Sequence, residues 1–138
     1  MAAAAPRPAG TRGRTQHVLV VDDDDALVRL YQHFLGRLGY RVTGFTDPVL
    51  ALASFRENRG AFDAVVTDVS MPQLSGFDLA HEILSLQGDV PVFVTSGYVT
   101  PEHEEEAKRL GVSGLIGKPD TIDELVDALD RVFCVARG

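Results

Sequence analysis

Four consecutive aspartates, Asp22 to Asp25, follow directly on the apolar run Val18-Leu19-Val20-Val21. Two carboxylates ~5 Å apart at an effective dielectric of ~20 repel by roughly 3 kcal/mol. Several of them at the end of a buried strand therefore need a neutralising partner, and for clustered oxygen ligands the simplest is a hard divalent cation. The run reads as half of a metal site. Other chemistry-bearing residues follow other apolar runs: Asp68 after Ala64-Val65-Val66-Thr67, Ser96 after Val92-Phe93-Val94-Thr95, and Lys118 after Leu115-Ile116-Gly117. A lone acid after a strand is usually a turn former or a helix cap. Asp22, Asp23, Asp68, Ser96 and Lys118 together suit phosphoryl chemistry. A carboxylate can attack phosphorus and carry the group as an aspartyl phosphate. The transferred group is rich in negative charge, so the protein's task is positioning and neutralisation. Lys118 can meet one phosphoryl oxygen as a point charge and Ser96 can donate a hydrogen bond to another. With Lys118 the one fixed cation beside these acids, the site calls for Mg²⁺ or Mn²⁺.

The elements that must position these groups are legible in the spacing of apolar residues. Strands are expected at His17–Val21, Arg41–Phe45, Ala64–Thr67, Pro91–Thr95 and Gly114–Ile116, several as continuous apolar runs, the mark of strands covered on both faces. Leu27, Leu30, Tyr31, Phe34, Leu35 and Leu38 follow the period of one helix face, and Gly39 supplies the stop. Ile122, Leu125, Val126, Leu129 and Val132 repeat that pattern in a last helix, with Asp120 or Thr121 as its cap. The stretches Asp47–Glu57, Ser75–Leu86 and Pro101–Leu110 fill the gaps as helices. The last of these has little apolar face, because Glu102 to Glu106 are polar throughout. Alternating strands and helices predict an α/β domain with a parallel sheet. In such sheets ligands bind at the carboxyl ends of the strands, where the five residues above are gathered.

Bulk properties narrow the function. At 138 residues the chain is expected to fold as one domain. A net charge of −7 argues against a nucleic-acid surface. No apolar stretch approaches the ~20 residues that span a bilayer, and the start lacks the order of a signal peptide. The single cysteine, Cys134, cannot form an internal disulfide, which fits a reducing, cytoplasmic setting. Residues 1–16, rich in Ala, Pro and Gly with three arginines, read as a flexible leader or linker, and residues 17–138 as the folded domain.

The motifs Val20-Val21-Asp22-Asp23, Thr67-Asp68-Val69-Ser70-Met71-Pro72 with Gly76 following, Val94-Thr95-Ser96-Gly97 and Gly117-Lys118-Pro119 occur in this order. Over roughly residues 17 to 135 the chain resembles the receiver domain of a two-component response regulator. The resemblance implies a doubly wound, flavodoxin-like five-stranded parallel sheet of order 2-1-3-4-5. It implies Asp68 as phosphoacceptor from a histidine kinase or histidine phosphotransfer protein, with Ser96 and Lys118 on the phosphoryl oxygens. It implies Mg²⁺ held by Asp22, Asp23, Asp68 and the backbone carbonyl of Ser70, and a cis Lys118–Pro119 peptide. A receiver is a signalling domain rather than an enzyme with an external substrate, working through protein contacts with an unidentified downstream partner. Ser96-Gly97-Tyr98 and the leader also resemble receivers attached to hybrid histidine kinases.

Some residues have plainer readings. Asp24 and Asp25 are expected to cap and open the first helix. The four histidines, His17, His33, His81 and His103, are scattered and read as surface or edge residues. Receivers usually carry an aromatic residue three positions before the conserved lysine, and Leu115 stands there, which argues against an aromatic switch. Tyr98 is the aromatic near the rim and is expected to shield an aspartyl phosphate from water. The alternative function is a pseudo-receiver that acts as a binding scaffold without being phosphorylated. A flavin-binding domain is disfavoured because no hydroxyl- and Gly-rich phosphate loop follows the first strand. An acid-nucleophile phosphatase would carry its nucleophile on the first strand, whereas the isolated acid follows the third.

Overall fold

The computed structural model describes residues 15–118 and 121–133, the side chain of Thr121 excepted. The elements alternate strictly: β1 (His17–Val21), α1 (Asp25–Arg37), β2 (Arg41–Phe45), α2 (Pro48–Glu57), β3 (Ala64–Asp68), α3 (Gly76–Leu86), β4 (Val92–Ser96), α4 (Pro101–Leu110), β5 (Gly114–Gly117) and α5 (Thr121–Val132). All neighbouring strands pair in parallel, in the order β2-β1-β3-β4-β5. This is the doubly wound sheet that the sequence predicts, with element ends displaced by a residue or two. β3 and β4 run on to include Asp68 and Ser96 themselves, because both keep pairing with a neighbouring strand.

Alternation along the strands divides the core into two layers. Val18, Val20, Ala64, Val66, Phe93 and Ile116 pack under Tyr31 and Leu35 of α1 and Leu125 and Leu129 of α5. Leu19, Val21, Val65, Val92 and Val94 face the other way, against Phe55 of α2, Ile83 of α3 and Ala107 of α4. The three central strands are buried almost end to end, which is why they read as continuous apolar runs. Burying one such Val, Leu or Phe side chain contributes ~1.5–3 kcal/mol.

Local signals fix where the helices begin. Asp24 caps α1 by accepting the amide of Ala26, and Asp25 lies in its first turn, so both acids fill the roles expected of them. Asp47 and Ser75 cap α2 and α3. α4 forms despite its thin apolar face because both ends are locally specified. Thr100 and His103 close a capping box, Pro101 sits in the first turn, and Gly111 ends the helix in the left-handed region at φ 80°. His103 is therefore more than a surface residue: its Nδ1 accepts the amide of Thr100, and its ring lies 5.8 Å from that of Phe77. His17, at the start of β1, is likewise engaged with Ala61 and Thr43, whereas His33 and His81 are exposed. Residues 1–14 of the expected leader, Asp120, the Lys118–Pro119 peptide and Cys134 lie outside the described residues. Thr15 and Gln16 are already held to β2, their carbonyls accepting from Arg41. Among the described residues no helix is long and apolar enough to cross a membrane.

Candidate functional site

Two strand ends bring the acids together. Asp22 follows β1 and Asp68 closes β3, the strand beside it, so their side chains leave the same sheet face. Carboxylate oxygens of Asp22, Asp23 and Asp68 all lie within 4.8 Å of one another. Asp22 is 1% exposed and Asp68 7%, whereas Asp23 opens to solvent. Three carboxylates at that separation match the oxygen donor set of a hard divalent cation, so these residues fit Mg²⁺ or Mn²⁺.

Lys118 reaches across from β5. Its Nζ lies 3.2 Å from Asp22 Oδ2 and 3.2 Å from Asp68 Oδ1, bridging the two acids. Its backbone is fixed by an amide hydrogen bond to the carbonyl of Ser96, 2.8 Å. Burial pushes the Asp22 carboxyl above its ordinary range. The amide of Asp24, 2.9 Å from Asp22 Oδ1, opposes that rise, the charge of Asp68 adds to it, and Lys118 works against it. For Lys118 burial works against the charged form, but attraction to Asp22 and Asp68 outweighs it and holds the ammonium above its usual value. Asp22 is short of positive charge, the condition under which an added cation binds.

Ser96 ends β4, one position beyond Thr95, the register partner of Asp68. Its hydroxyl donates to the carbonyl of Tyr98, 2.9 Å, and accepts from the Tyr98 amide, 3.2 Å. The backbone of Tyr98 therefore engages the site, while the residue as a whole is 79% exposed. Leu115, at the position where an aromatic was expected, packs against the core layer under α3 and α4. Ser70 lies on the exposed loop between β3 and α3.

Three features of the site escaped the sequence. Gly76 is pressed against the backbone of Asp68: a Cβ there would meet the Asp68 carbonyl oxygen at 2.1 Å. The glycine was visible as part of a motif, but its contact needs the return of α3 over β3. The second is the Asp24 amide on Asp22, for which the two-residue spacing of an Asx turn was the available signal. The third is Thr95, whose Oγ is buried without a hydrogen-bond partner among the described residues.

Comparison with known proteins agrees with this arrangement. Residues 18–130 match the family described as response regulator receiver domain. The two-component response regulator ARR10 of Arabidopsis thaliana is 37% identical over 115 residues, which are 83% of this chain and 21% of the relative. The chain thus spans about a fifth of that relative's length. Among solved structures, the chemotaxis protein CheY4 of Vibrio cholerae superposes with a TM-score of 0.78 at 31% identity, covering 86% of this chain and 98% of the other. The receiver domain of a sensor histidine kinase from Pseudomonas aeruginosa, solved with a magnesium ion coordinated in its active-site cleft, has a TM-score of 0.76 at 27% identity, over 87% of this chain and 98% of the other. Fold, acidic cluster and family match converge on one assignment: the chain belongs to the response regulator receiver domains of two-component signalling.

Proposed function

We propose that residues 17–138 form a phosphoryl-accepting receiver domain, joined to a leader at residues 1–16, in which Asp68 takes a phosphoryl group from a phosphohistidine. The observation that carries this reading is the Lys118 ammonium at 3.2 Å from both Asp22 and Asp68, beside three acids whose oxygens cluster within 4.8 Å. A carboxylate oxygen of Asp68 attacks phosphorus, an O–P bond forms, and the P–N bond to the donor histidine breaks with its electron pair staying on that nitrogen, so that a ring protonated at its other nitrogen leaves as neutral imidazole. Mg²⁺ or Mn²⁺, bound by the carboxylates of Asp22, Asp23 and Asp68 and the carbonyl of Ser70, supplies positive charge toward the phosphoryl oxygens. Lys118 holds a second oxygen as it loosens from Asp68. Ser96 reaches a third by exchanging the Tyr98 carbonyl for the phosphoryl group as its acceptor, so phosphorylation pulls on the β4–α4 loop. Partners on this reading are a histidine kinase or histidine phosphotransfer protein in the cytoplasm, with output through contact with a downstream protein.

The test is incubation of the full chain with Mg²⁺ and acetyl phosphate, followed by intact-mass measurement. One phosphoryl group should be gained, with loss of acetate from the donor, and none by Asp68→Asn or in excess chelator. An unmodified wild-type chain would instead make the domain a scaffold that binds without being phosphorylated.

A further inference from the structure

The cap that opens α4 contains a titratable acceptor. The Thr100 hydroxyl accepts the amide of His103 at 3.1 Å, and His103 Nδ1 accepts the amide of Thr100 at 3.4 Å. Such a box ordinarily closes on Glu or Gln, whose oxygens still accept near neutral pH. An imidazole nitrogen accepts only while it carries no proton, so the neutral ring holds its proton on Nε2. Histidine is the side chain that changes charge between pH 5 and 8. A proton on Nδ1 sets two donors against each other and puts a cation in the first turn, where the helix dipole opposes it. Phe77 of α3, a core residue, backs the imidazole at 5.8 Å between ring centroids. The charged groups near the ring on α4 are Glu102, Glu104 and, one turn on, Glu106, which pairs with Arg109. α3 brings the exposed Asp78 and His81, beside and one turn beyond Phe77, while its Glu82 turns to Arg56 of α2. β5, which also packs against α4, has no titratable side chain, and Lys118 beyond it is turned to Asp22 and Asp68.

We infer that His103 is a proton-operated latch on the β4–α4 loop, through which pH regulates the phosphorylation site. The loop is held at both ends. At one, the Ser96 hydroxyl donates to the Tyr98 carbonyl at 2.9 Å and accepts the Tyr98 amide at 3.2 Å. At the other, the reciprocal bonds of Thr100 and His103 fix the start of α4. The inference rests on the reading above, in which Ser96 leaves the Tyr98 carbonyl for the phosphoryl group and pulls on this loop. Tyr98 and Thr100 are two residues apart, so the pull reaches the cap and opens it. With His103 neutral, that opening costs the bond to Nδ1. With His103 protonated the bond is already lost, and the loop follows Ser96 at no such cost. Falling pH therefore favours the phosphorylated form, by at most the equilibrium value of one net hydrogen bond, roughly five-fold. By reciprocity, phosphorylation raises the affinity of His103 for the proton by the same factor.

The experiment compares the full chain at about pH 7.5 and about pH 5.5, on either side of the ordinary histidine value. The first readout is the exchange protection of the Thr100 amide, corrected for the intrinsic pH dependence of exchange. It should fall about three-fold in wild type on acidification, much of the five-fold limit. His103→Gln keeps an acceptor that does not titrate and should hold its protection at both pH values. His103→Ala, with no acceptor, should show low protection at both. The second readout is the affinity for beryllofluoride, a tetrahedral phosphoryl mimic, in saturating Mg²⁺. Titration of the acids affects wild type and His103→Gln alike, so the ratio of their affinities isolates the latch. That ratio should rise about three-fold from the higher pH to the lower. Unchanged Thr100 protection in wild type would mean that the cap ignores the proton, and an unchanged ratio would mean that it is uncoupled from the site. Either result overturns the inference while leaving phosphorylation of Asp68 intact. A wild-type chain that neither binds beryllofluoride nor gains mass from acetyl phosphate would remove the functional reading and this inference together.

Discussion

Gly76→Ala isolates the contact that seats α3 on the end of β3. The added Cβ would lie 2.1 Å from the Asp68 carbonyl oxygen, 2.8 Å from its carbon and 3.0 Å from Val69 Cα. All three atoms are backbone, so no side chain can swing aside, and the start of α3 must lift by about 1 Å to restore ordinary contact. Overpacking of this kind costs about 1–3 kcal/mol. The amide of Gly76, 2.9 Å from the Val69 carbonyl, moves with it, and weakening that bond adds up to ~1 kcal/mol. Alanine returns at most ~1 kcal/mol through helix propensity. The two smaller terms roughly cancel, so the net is a loss of about 1–3 kcal/mol. At ~2.1 cal/mol/K per residue, ~120 residues give an unfolding entropy near 0.25 kcal/mol/K, so the midpoint should fall by about 4–12 °C. Calorimetry with Gly36→Ala in parallel gives the comparison. Nothing lies within 4 Å of a Cβ at that exposed position in α1, so that variant should melt slightly higher than wild type. A Gly76→Ala midpoint within 2 °C of wild type would refute the packing argument. A large drop should be accompanied by slower phosphorylation, since the strain falls on Asp68 itself.

Mg²⁺ at ten times its Kd should stabilise the chain by ~1.4 kcal/mol, about 5–6 °C, and Asp23→Asn, at an exposed acid, should lose this shift while staying folded. Tyr40→Phe removes the donor 2.8 Å from Asp130 Oδ1, a carboxylate 2% exposed, and should lower stability by about 1–3 kcal/mol in urea titration. Burial and the charge of Arg41 hold the His17 imidazole below its ordinary value of 6.5, so folding favours the neutral ring. Its contribution is complete above that pH and declines as pH falls through 6.5 toward the folded value, where the loss levels off. His17→Asn should therefore show a smaller fall in urea midpoint between pH 7 and 5 than wild type, and an equal fall would assign the acid sensitivity elsewhere. Tyr98→Ala should shorten the lifetime of the aspartyl phosphate, and an unchanged lifetime would leave this exposed tyrosine without a shielding role.

Much of this was legible in the sequence because the central strands are covered on both faces, so their apolar runs are unbroken and their ends stand out. Asp22, Asp68 and Lys118 were readable for the same reason: polar residues that interrupt such runs sit at the sheet rim. α4 was harder, since an apolar face is a thin signal in Pro101–Leu110, and its stability comes instead from Thr100, His103 and Gly111 at the two ends. His103 was mistaken for a surface residue because a histidine in the third position of a helix is a rarer partner in a capping box than Glu or Gln. Thr95 and Gly76 were silent for a deeper reason. Where each sits depends on strand register or on the return of a helix, and neither is written in local spacing. The bond between the Ser96 hydroxyl and the Tyr98 backbone was hidden likewise, since any Ser-Gly-Tyr could be an ordinary turn.

The four aspartates between β1 and α1 also constrain length. Because the residues are identical, deleting any one of them gives the same protein, with three acids between Val21 and Ala26. If the first two keep the cation and the third caps the helix, every later residue of α1 is out of phase by one position, about 100° of rotation. Val28, Tyr31 and Leu35 would then turn away from the sheet. If the helix keeps its seat instead, the shortened connection must surrender either an acid of the cluster or the cap. A domain that has lost one negative charge would thus be forced to choose between its core and its chemistry. The run measures a distance along the chain as much as it stores charge.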